Sequence, residues 1–156
     1  MQKRVLFAAL AALSIGGAVK ADEASFVQGF ANVCNQFTIF GLGGSMEAFV
    51  GYGWDIYPGA DLGEYEAYKN GTAAIVATSA TGRQPSCTIM DETVSMAFAR
   101  DLLERTLDLN FSTVVKGTGY NGGEVWRALT EKGTLIYSVQ EAMGGTGAAI
   151  SFELRP

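Results

Sequence analysis

The stretch EYEAYKNGTAAIVATSATGRQPSCTIMD, residues 64–91, predicts three consecutive strands and so decides the fold class. Residues 64–69 and 72–79 flank the dipeptide Asn70-Gly71, which favours the tight turn of a two-residue β-hairpin. After the turn residues 81–85, residues 86–91 read as a third strand. This run is therefore expected to form an antiparallel β-β-β unit.

An amphipathic helix follows this unit, over residues 93–108. Its apolar residues, Leu103 and Leu107 among them, recur on one side, and its charged residues fall on the other. Such a helix is expected to cover a sheet. Three further strands are predicted after it, at residues 124–130, 134–140 and 148–154.

The N-terminal part of the chain reads as helical. Phe26, Phe30, Val33, Cys34 and Phe37 recur at helical spacing within residues 23–37. A short second helix is expected further along. Its predicted range is 45–52. The sequence thus predicts an α+β fold. It would have about six antiparallel strands in two β-β-β runs, with the N-terminal helix and the crossover helix 93–108 packed on one face.

The two strand runs resemble each other. An offset of 62 residues aligns Ile75 with Tyr137 and Cys87 with Ala149. One interpretation is an internal duplication. The alternative is that any two hairpins with Gly-Thr turns look alike.

Residues 1–21 have the pattern of a cleaved secretory signal peptide. Lys3 and Arg4 precede an apolar run over residues 5–19, and Val19-Lys20-Ala21 offers a cleavage site. The apolar run is too short for a permanent membrane span. We therefore expect one mature domain, residues 22–156, exported to the periplasm or secreted, with no integral membrane segment.

Charge and composition exclude several classes of function. The chain has 11 basic and 16 acidic residues, and removing Lys3, Arg4 and Lys20 leaves eight basic residues and a net charge of −8. This balance argues against binding nucleic acid or anionic membranes. Histidine is absent from the sequence, which excludes Ser-His-Asp and Cys-His catalysis and the usual zinc hydrolase site. We expect neither a metal site nor a cofactor.

The chain has two cysteines, Cys34 and Cys87. In an oxidising compartment two cysteines are expected to pair, which would tie the N-terminal helix to the third predicted strand. The alternative is a redox-active dithiol, against which the lack of a C-x-x-C motif argues.

The best candidate binding site lies within residues 52–65, where aromatic and acidic residues alternate closely. Aromatic faces beside carboxylates can hold a sugar, a cation or a basic peptide. The alternative is that Trp54 and one tyrosine fill the core while the acids are solvated. The candidate binding residues are Trp54, Asp55, Tyr57, Asp61 and Glu64.

These observations favour a non-enzymatic binding or interaction domain whose partner is a protein or a small ligand. A first alternative is a hydrolase of a glycan or cell-wall component, with Asp55 and Glu64, or Asp91 and Glu92, as its paired carboxylates. A second alternative is a structural component of the envelope.

Several of these features together resemble a group of small exported single-disulfide proteins of alphaproteobacteria. They are the signal peptide, Cys34 in the first helix, Gly53-Trp54, Cys87-Thr88-Ile89 and the amphipathic helix that follows. The resemblance covers most of residues 24–108. It implies export and an architecture, and no activity.

Overall fold

The computed structural model describes residues 21–36, 44–78, 82 and 84–156. Of the predicted signal peptide, residues 1–21, all but Ala21 lie outside these ranges, so its cleavage stays a prediction. Across the described ranges, no helix combines the length and apolar character needed to cross a bilayer.

Within the part of the chain that the structure describes, eight strands form a single sheet in which every neighbouring pair is antiparallel. Across the sheet the strand order is β1-β2-β3-β4-β8-β7-β6-β5. The strands are β1 Asp55–Pro58, β2 Glu64–Lys69, β3 Thr72–Ala77, β4 Ser86–Asp91, β5 Val114–Thr118, β6 Glu124–Thr130, β7 Gly133–Glu141 and β8 Ala148–Arg155.

The described helices accompany this sheet. Helix α1, Ala21–Val27, continues directly into a π-helical segment, π1, Gln28–Cys34. Helix α2 is Ser45–Gly51 and helix α3 is Met96–Asn110. Helix α3 begins after Ser95, whose hydroxyl accepts a hydrogen bond from the backbone N–H of Phe98 at 3.1 Å, as a helix N-cap does.

The helices pack against one face of the sheet. Helix α1 contacts β3 and β4, and helix α3 contacts β7 and β8. Strand residues alternate accordingly: in β7, Leu135 and Tyr137 are buried, whereas Thr134, Ile136 and Ser138 point the other way and are half-exposed. We call the face opposite the helices the outer face.

The α+β class with antiparallel strands is confirmed, but the expected number of about six strands was too low. The two strands that sequence reasoning missed, β1 and β5, are the two edges of the sheet. Their residues are mostly exposed on both sides, so the period-2 alternation that marks a half-buried strand is missing. The two runs are therefore β-β-β-β units.

Each unit follows a helix, so α2 with β1–β4 and α3 with β5–β8 form two similar halves. The offset of 62 residues was wrong by one. It aligns Ile75, on the outer face, with Tyr137 in the core. An offset of 61, from Tyr65 to Trp126 and from Val76 to Tyr137, aligns buried residues with buried residues. A slip of one residue exchanges the two faces of a strand, so only the odd offset is physically consistent.

Cys34 and Cys87 form a disulfide, as predicted, with their Cα atoms 6.0 Å apart. Both residues are fully buried. The bridge joins the end of π1 to β4, which is the third strand of the prediction and the fourth in the structure.

Candidate functional site

Trp54 lies in the core and not on a binding surface. It is 3 % exposed, and its indole N–H donates a hydrogen bond to Oε1 of Gln28 at 2.9 Å. Its ring meets Phe49 edge to face, with ring centroids 4.9 Å apart. Gly29 makes room for it, since a Cβ at that position would lie 2.9 Å from the Trp54 ring. Trp54 thus packs π1 and α2 against the sheet.

Asp55 and Tyr57 lie on the outer face of β1, opposite Tyr68 and Glu66 of β2. Tyr57 is 53 % exposed, and its ring packs edge to face on Tyr68 at 5.7 Å. The Tyr68 hydroxyl donates a hydrogen bond to the Glu66 carboxylate, and this bond raises the pKa of Tyr68.

Glu64 shares this face, since buried Tyr65 and Ala67 alternate with it along β2. We call the group Asp55, Tyr57, Glu64, Glu66 and Tyr68 the acidic patch.

Asp61 shapes the turn between β1 and β2. Its backbone carbonyl accepts a hydrogen bond from the N–H of Glu64 at 3.1 Å. The N–H of Gly59 donates to the Glu64 carbonyl at 2.9 Å, and a Cβ at Gly59 would lie 2.6 Å from that backbone. Among the five candidate residues, the structure therefore brings Asp55, Tyr57 and Glu64 onto one surface. Asp61 lies in the adjoining turn.

A second feature of the outer face extends from the centre of the sheet toward its other edge, over β4, β8, β7 and β6. It is an open groove of about 630 Å³. We call it the basic groove; its charged lining residues are Arg127, Arg155 and Glu153, and its other lining residues include Tyr120, Ile136, Ser138 and Ser151.

Arg127 is half-buried in the basic groove, and its guanidinium crosses Gly117, where a Cβ would lie 2.9 Å from Nη1. Arg155 is paired with Glu153, to which its Nε donates at 2.7 Å. The basic groove was missed by sequence reasoning, although one signal could have found it. That signal is the alternation of side chains. In the predicted strands 124–130, 134–140 and 148–154, every second residue faces away from the core, so these residues lie together on the other face of the sheet.

Strand register connects the acidic patch to the basic groove across the whole sheet. One row of directly paired residues runs from Tyr57 through Glu66, Ile75 and Thr88, and continues to Ser151, Ser138, Val125 and Gly117. A second row contains Glu64 on β2 and Arg127 on β6. At the centre of the face, the hydroxyls of Thr88 and Ser151 are hydrogen-bonded at 2.9 Å.

The carboxylate pairs considered for hydrolysis are separated or already engaged. Asp55 pairs with Tyr68, and Glu64 lies four residues further along β2, which with the spacing between the strands places the Cα atoms of Asp55 and Glu64 about 14 Å apart. Asp91 is buried, and its carboxylate accepts hydrogen bonds from the Thr72 hydroxyl at 2.6 Å and from the Thr93 hydroxyl at 2.7 Å. Asp91 therefore has a structural role.

The clearest cluster of charges lies at the edge of the sheet beside helix α3. Lys116 of β5 forms ion pairs with Glu124 at 3.0 Å and Glu104 at 3.3 Å, and its ammonium lies 5.0 Å from the centre of the Trp126 ring. Glu124 also contacts Arg100 at 2.8 Å. The hydrogen bond from Lys116 lowers the pKa of the Glu124 carboxyl. These groups are solvated, so they are worth little as a stabilising network.

Comparison of the chain finds no matching family model, no matching curated protein and no matching solved structure. Within the ranges that the structure describes, no group of three His, Cys, Asp or Glu side chains is arranged to hold a metal ion.

Proposed function

We propose that this protein is an exported, non-enzymatic interaction domain that holds a protein partner on the outer face of its sheet. The observation that carries the proposal is the one-sided cover of the sheet. The helices occupy one face of eight strands, and no element within the described ranges covers the other. Large surfaces of this kind with exposed apolar side chains are typical of interaction sites.

The size and shape of the outer face favour a protein over a small molecule. Eight strands about 4.8 Å apart and about five residues long give the face a footprint, or projected area, of roughly 600 Å². The side chains that protrude from the face make its accessible area larger. This approaches the roughly 800 Å² that each partner contributes to a standard protein interface. Small-molecule sites, in contrast, enclose most of their ligand.

The chemistry of the face also suits a protein partner. Tyr57, Val115 and Leu129 are exposed apolar side chains on it, at 53 %, 58 % and 73 %. Tyrosine and arginine are the residues that most often anchor interfaces, and the acidic patch and the basic groove supply both.

Three features support export. The disulfide between Cys34 and Cys87 is of the kind that persists in oxidising compartments. The predicted signal peptide agrees with that location, as does the resemblance to exported alphaproteobacterial proteins.

The hydrolase alternative receives no support from the positions of its carboxylates. The Cα atoms of Asp55 and Glu64 are about 14 Å apart on neighbouring strands. The carboxylate of Asp91 is buried and accepts hydrogen bonds from the Thr72 and Thr93 hydroxyls.

Site-specific photo-crosslinking in the producing cell tests the proposal. A photoreactive residue would replace Ser138 or Thr88 on the outer face, and Asp101 or Asp108 on the exposed side of α3 would serve as control positions. We expect discrete adducts from the outer-face positions only, to be identified by mass spectrometry. Adducts of equal yield from the helix positions, or none from the outer face, would refute the proposal.

A further inference from the structure

We infer that the partner on the outer face is a second copy of this chain, stacked face to face with a twofold axis parallel to the strands. This inference rests on the proposed function and names the occupant of the same surface. The dimer would have four layers, with helices outside and two sheets inside.

The charges of the outer face are divided so that one end complements the other. The acidic patch lies over β1 and β2, where it contributes Asp55, Glu64 and Glu66. The basic groove extends from the central strand β8 to β6; Arg155 on β8 is paired there with Glu153, which leaves Arg127 on β6 as the net positive charge. A surface with acids on β1 and β2 and an arginine on β6 can complement a reversed copy of itself, as an isologous interface requires.

The register fixes which residues would meet. A twofold axis parallel to the strands reverses the strand order, so β2 of one copy lies over β6 of the other. It also places each row of paired residues over the same row of the second copy. Glu64 and Arg127 belong to the same row, so each Glu64 would face an Arg127 of the second copy.

At the edge of the sheet, Tyr57 would face Gly117, which the guanidinium of Arg127 crosses, so the tyrosine ring would meet that guanidinium. Arginine and glutamate are long enough to accommodate the roughly 30° crossing angle of stacked sheets.

The other face-to-face arrangement is disfavoured by the same charges. A twofold axis perpendicular to the strands would place β2 over β2 and bring the two acidic patches together. Like charges in juxtaposition oppose association. The distribution of charge therefore selects one of the two orientations.

The centre of the face permits close approach of two sheets. Thr88, Ser151, Ser138 and Ala149 present short side chains there, and Ile75 and Met90 supply apolar area. Sheets that stack do so about 10 Å apart, which such short residues allow. Applied to both copies, the footprint of roughly 600 Å² gives at least about 1,200 Å² of buried surface, within the range of specific interfaces.

Sedimentation equilibrium of the purified protein between 1 and 200 µM, chosen to bracket about micromolar affinity, is the first measurement. We expect a dimer. A protein that remains monomeric at the highest concentration would overturn the inference.

Charge reversal across the predicted pair is the second test. Arg127→Glu would place a glutamate opposite Glu64 twice, and Glu64→Arg would place an arginine opposite Arg127 twice, so each variant alone should have its dimer dissociation constant raised at least about tenfold. Mixing the two variants should restore a dimer, because each predicted contact then joins opposite charges. Lys132→Glu and Glu131→Arg, in the exposed β6–β7 turn, make the same changes of net charge and should leave dimerisation unaltered.

The mixing experiment separates a contact from a folding defect, since a misfolded variant is not rescued by its counterpart. Single variants that dimerise as tightly as the native chain, or a mixture that fails to restore the dimer, would refute the arrangement. A monomeric native protein that nevertheless gives crosslinks from Ser138 to a different protein would defeat this inference and leave the proposed function intact. Absence of both would defeat both.

Discussion

At the scale of single residues, Trp54 and Tyr57 show how two aromatic residues in one short segment acquire opposite roles. Trp54 packs beneath the sheet against Phe49 and Gly29, whereas Tyr57 lies exposed on the outer face. The sequence placed both in a candidate site, because composition alone does not reveal which side of a strand a residue occupies. Trp54 immediately precedes β1 and Tyr57 lies on it, so the side of the sheet that each occupies could be assigned only once β1 itself was known.

Replacement of these two residues should have unequal effects on stability. Trp54→Ala removes a buried ring and its hydrogen bond to Gln28, and should lower the free energy of unfolding by about 3–5 kcal/mol. Tyr57→Ala removes an exposed ring and should change it by about 0.5 kcal/mol. Urea denaturation followed by circular dichroism measures both. Equal losses would contradict the assignment of Trp54 to the core.

Buried tyrosines make stability depend on alkaline pH. Burial raises the pKa of Tyr65 to about 12 and also raises that of Tyr137, whose hydroxyl donates to Asn35 at 2.7 Å. A group whose pKa is higher in the folded state than in the unfolded chain stabilises the fold. This contribution is complete at any pH below the pKa of the group in the unfolded chain, which is about 10 for tyrosine. That stability is lost as the pH rises through the folded value.

Stability should therefore fall between pH 10 and 12. Tyr65→Phe removes one of the two groups and should flatten this fall relative to the native chain, as measured by urea midpoints at each pH. An unchanged slope in the variant would rule out the contribution of Tyr65.

At the scale of elements, a strand could be predicted from the sequence only where one of its sides is buried. Strands β2, β3, β4, β6, β7 and β8 have a buried side and were found from the sequence. The edge strands β1 and β5 have mostly exposed residues on both sides and pair with one neighbour each, so no local pattern marks them. The basic groove was missed because its residues come from β4, β8, β7 and β6, which the strand order brings together although they are distant in the sequence.

The disulfide links two elements, π1 and β4, covalently. It closes a loop with a sequence separation of 53 residues, for which the chain-entropy relation gives about 4 kcal/mol of stabilisation. The double variant Cys34→Ala/Cys87→Ala should therefore be less stable than the oxidised native chain by about 2–4 kcal/mol.

Reductant provides the control for this prediction. Dithiothreitol under unfolding conditions should lower the urea midpoint of the native chain and leave that of the double variant unchanged. A native midpoint that reductant does not alter would contradict the prediction.

At the scale of the whole molecule, the two similar halves share one core. Strands β4 and β8 join them by six residue pairs, and Phe30 of π1 packs on Tyr137 and Phe152 of the second half, with ring centroids 6.5 and 5.7 Å away. The halves should therefore unfold together.

The two tryptophans allow this to be tested, since Trp54 belongs to the first half and Trp126 to the second. In each of the variants Trp54→Phe and Trp126→Phe, the remaining fluorescence should follow the same urea transition as circular dichroism. Separate transitions in either variant would show that the halves unfold independently.

The position of β8 has a consequence for the order in which the sheet can be completed. The last strand described lies at the middle of the sheet, between β4 and β7, and joins the two halves. A chain threaded through a translocation pore with its N-terminus leading would deliver this strand last. Until β8 has emerged, strands β1–β4 and strands β5–β7 lack the strand that joins them, so the single sheet can be completed only once β8 is in place.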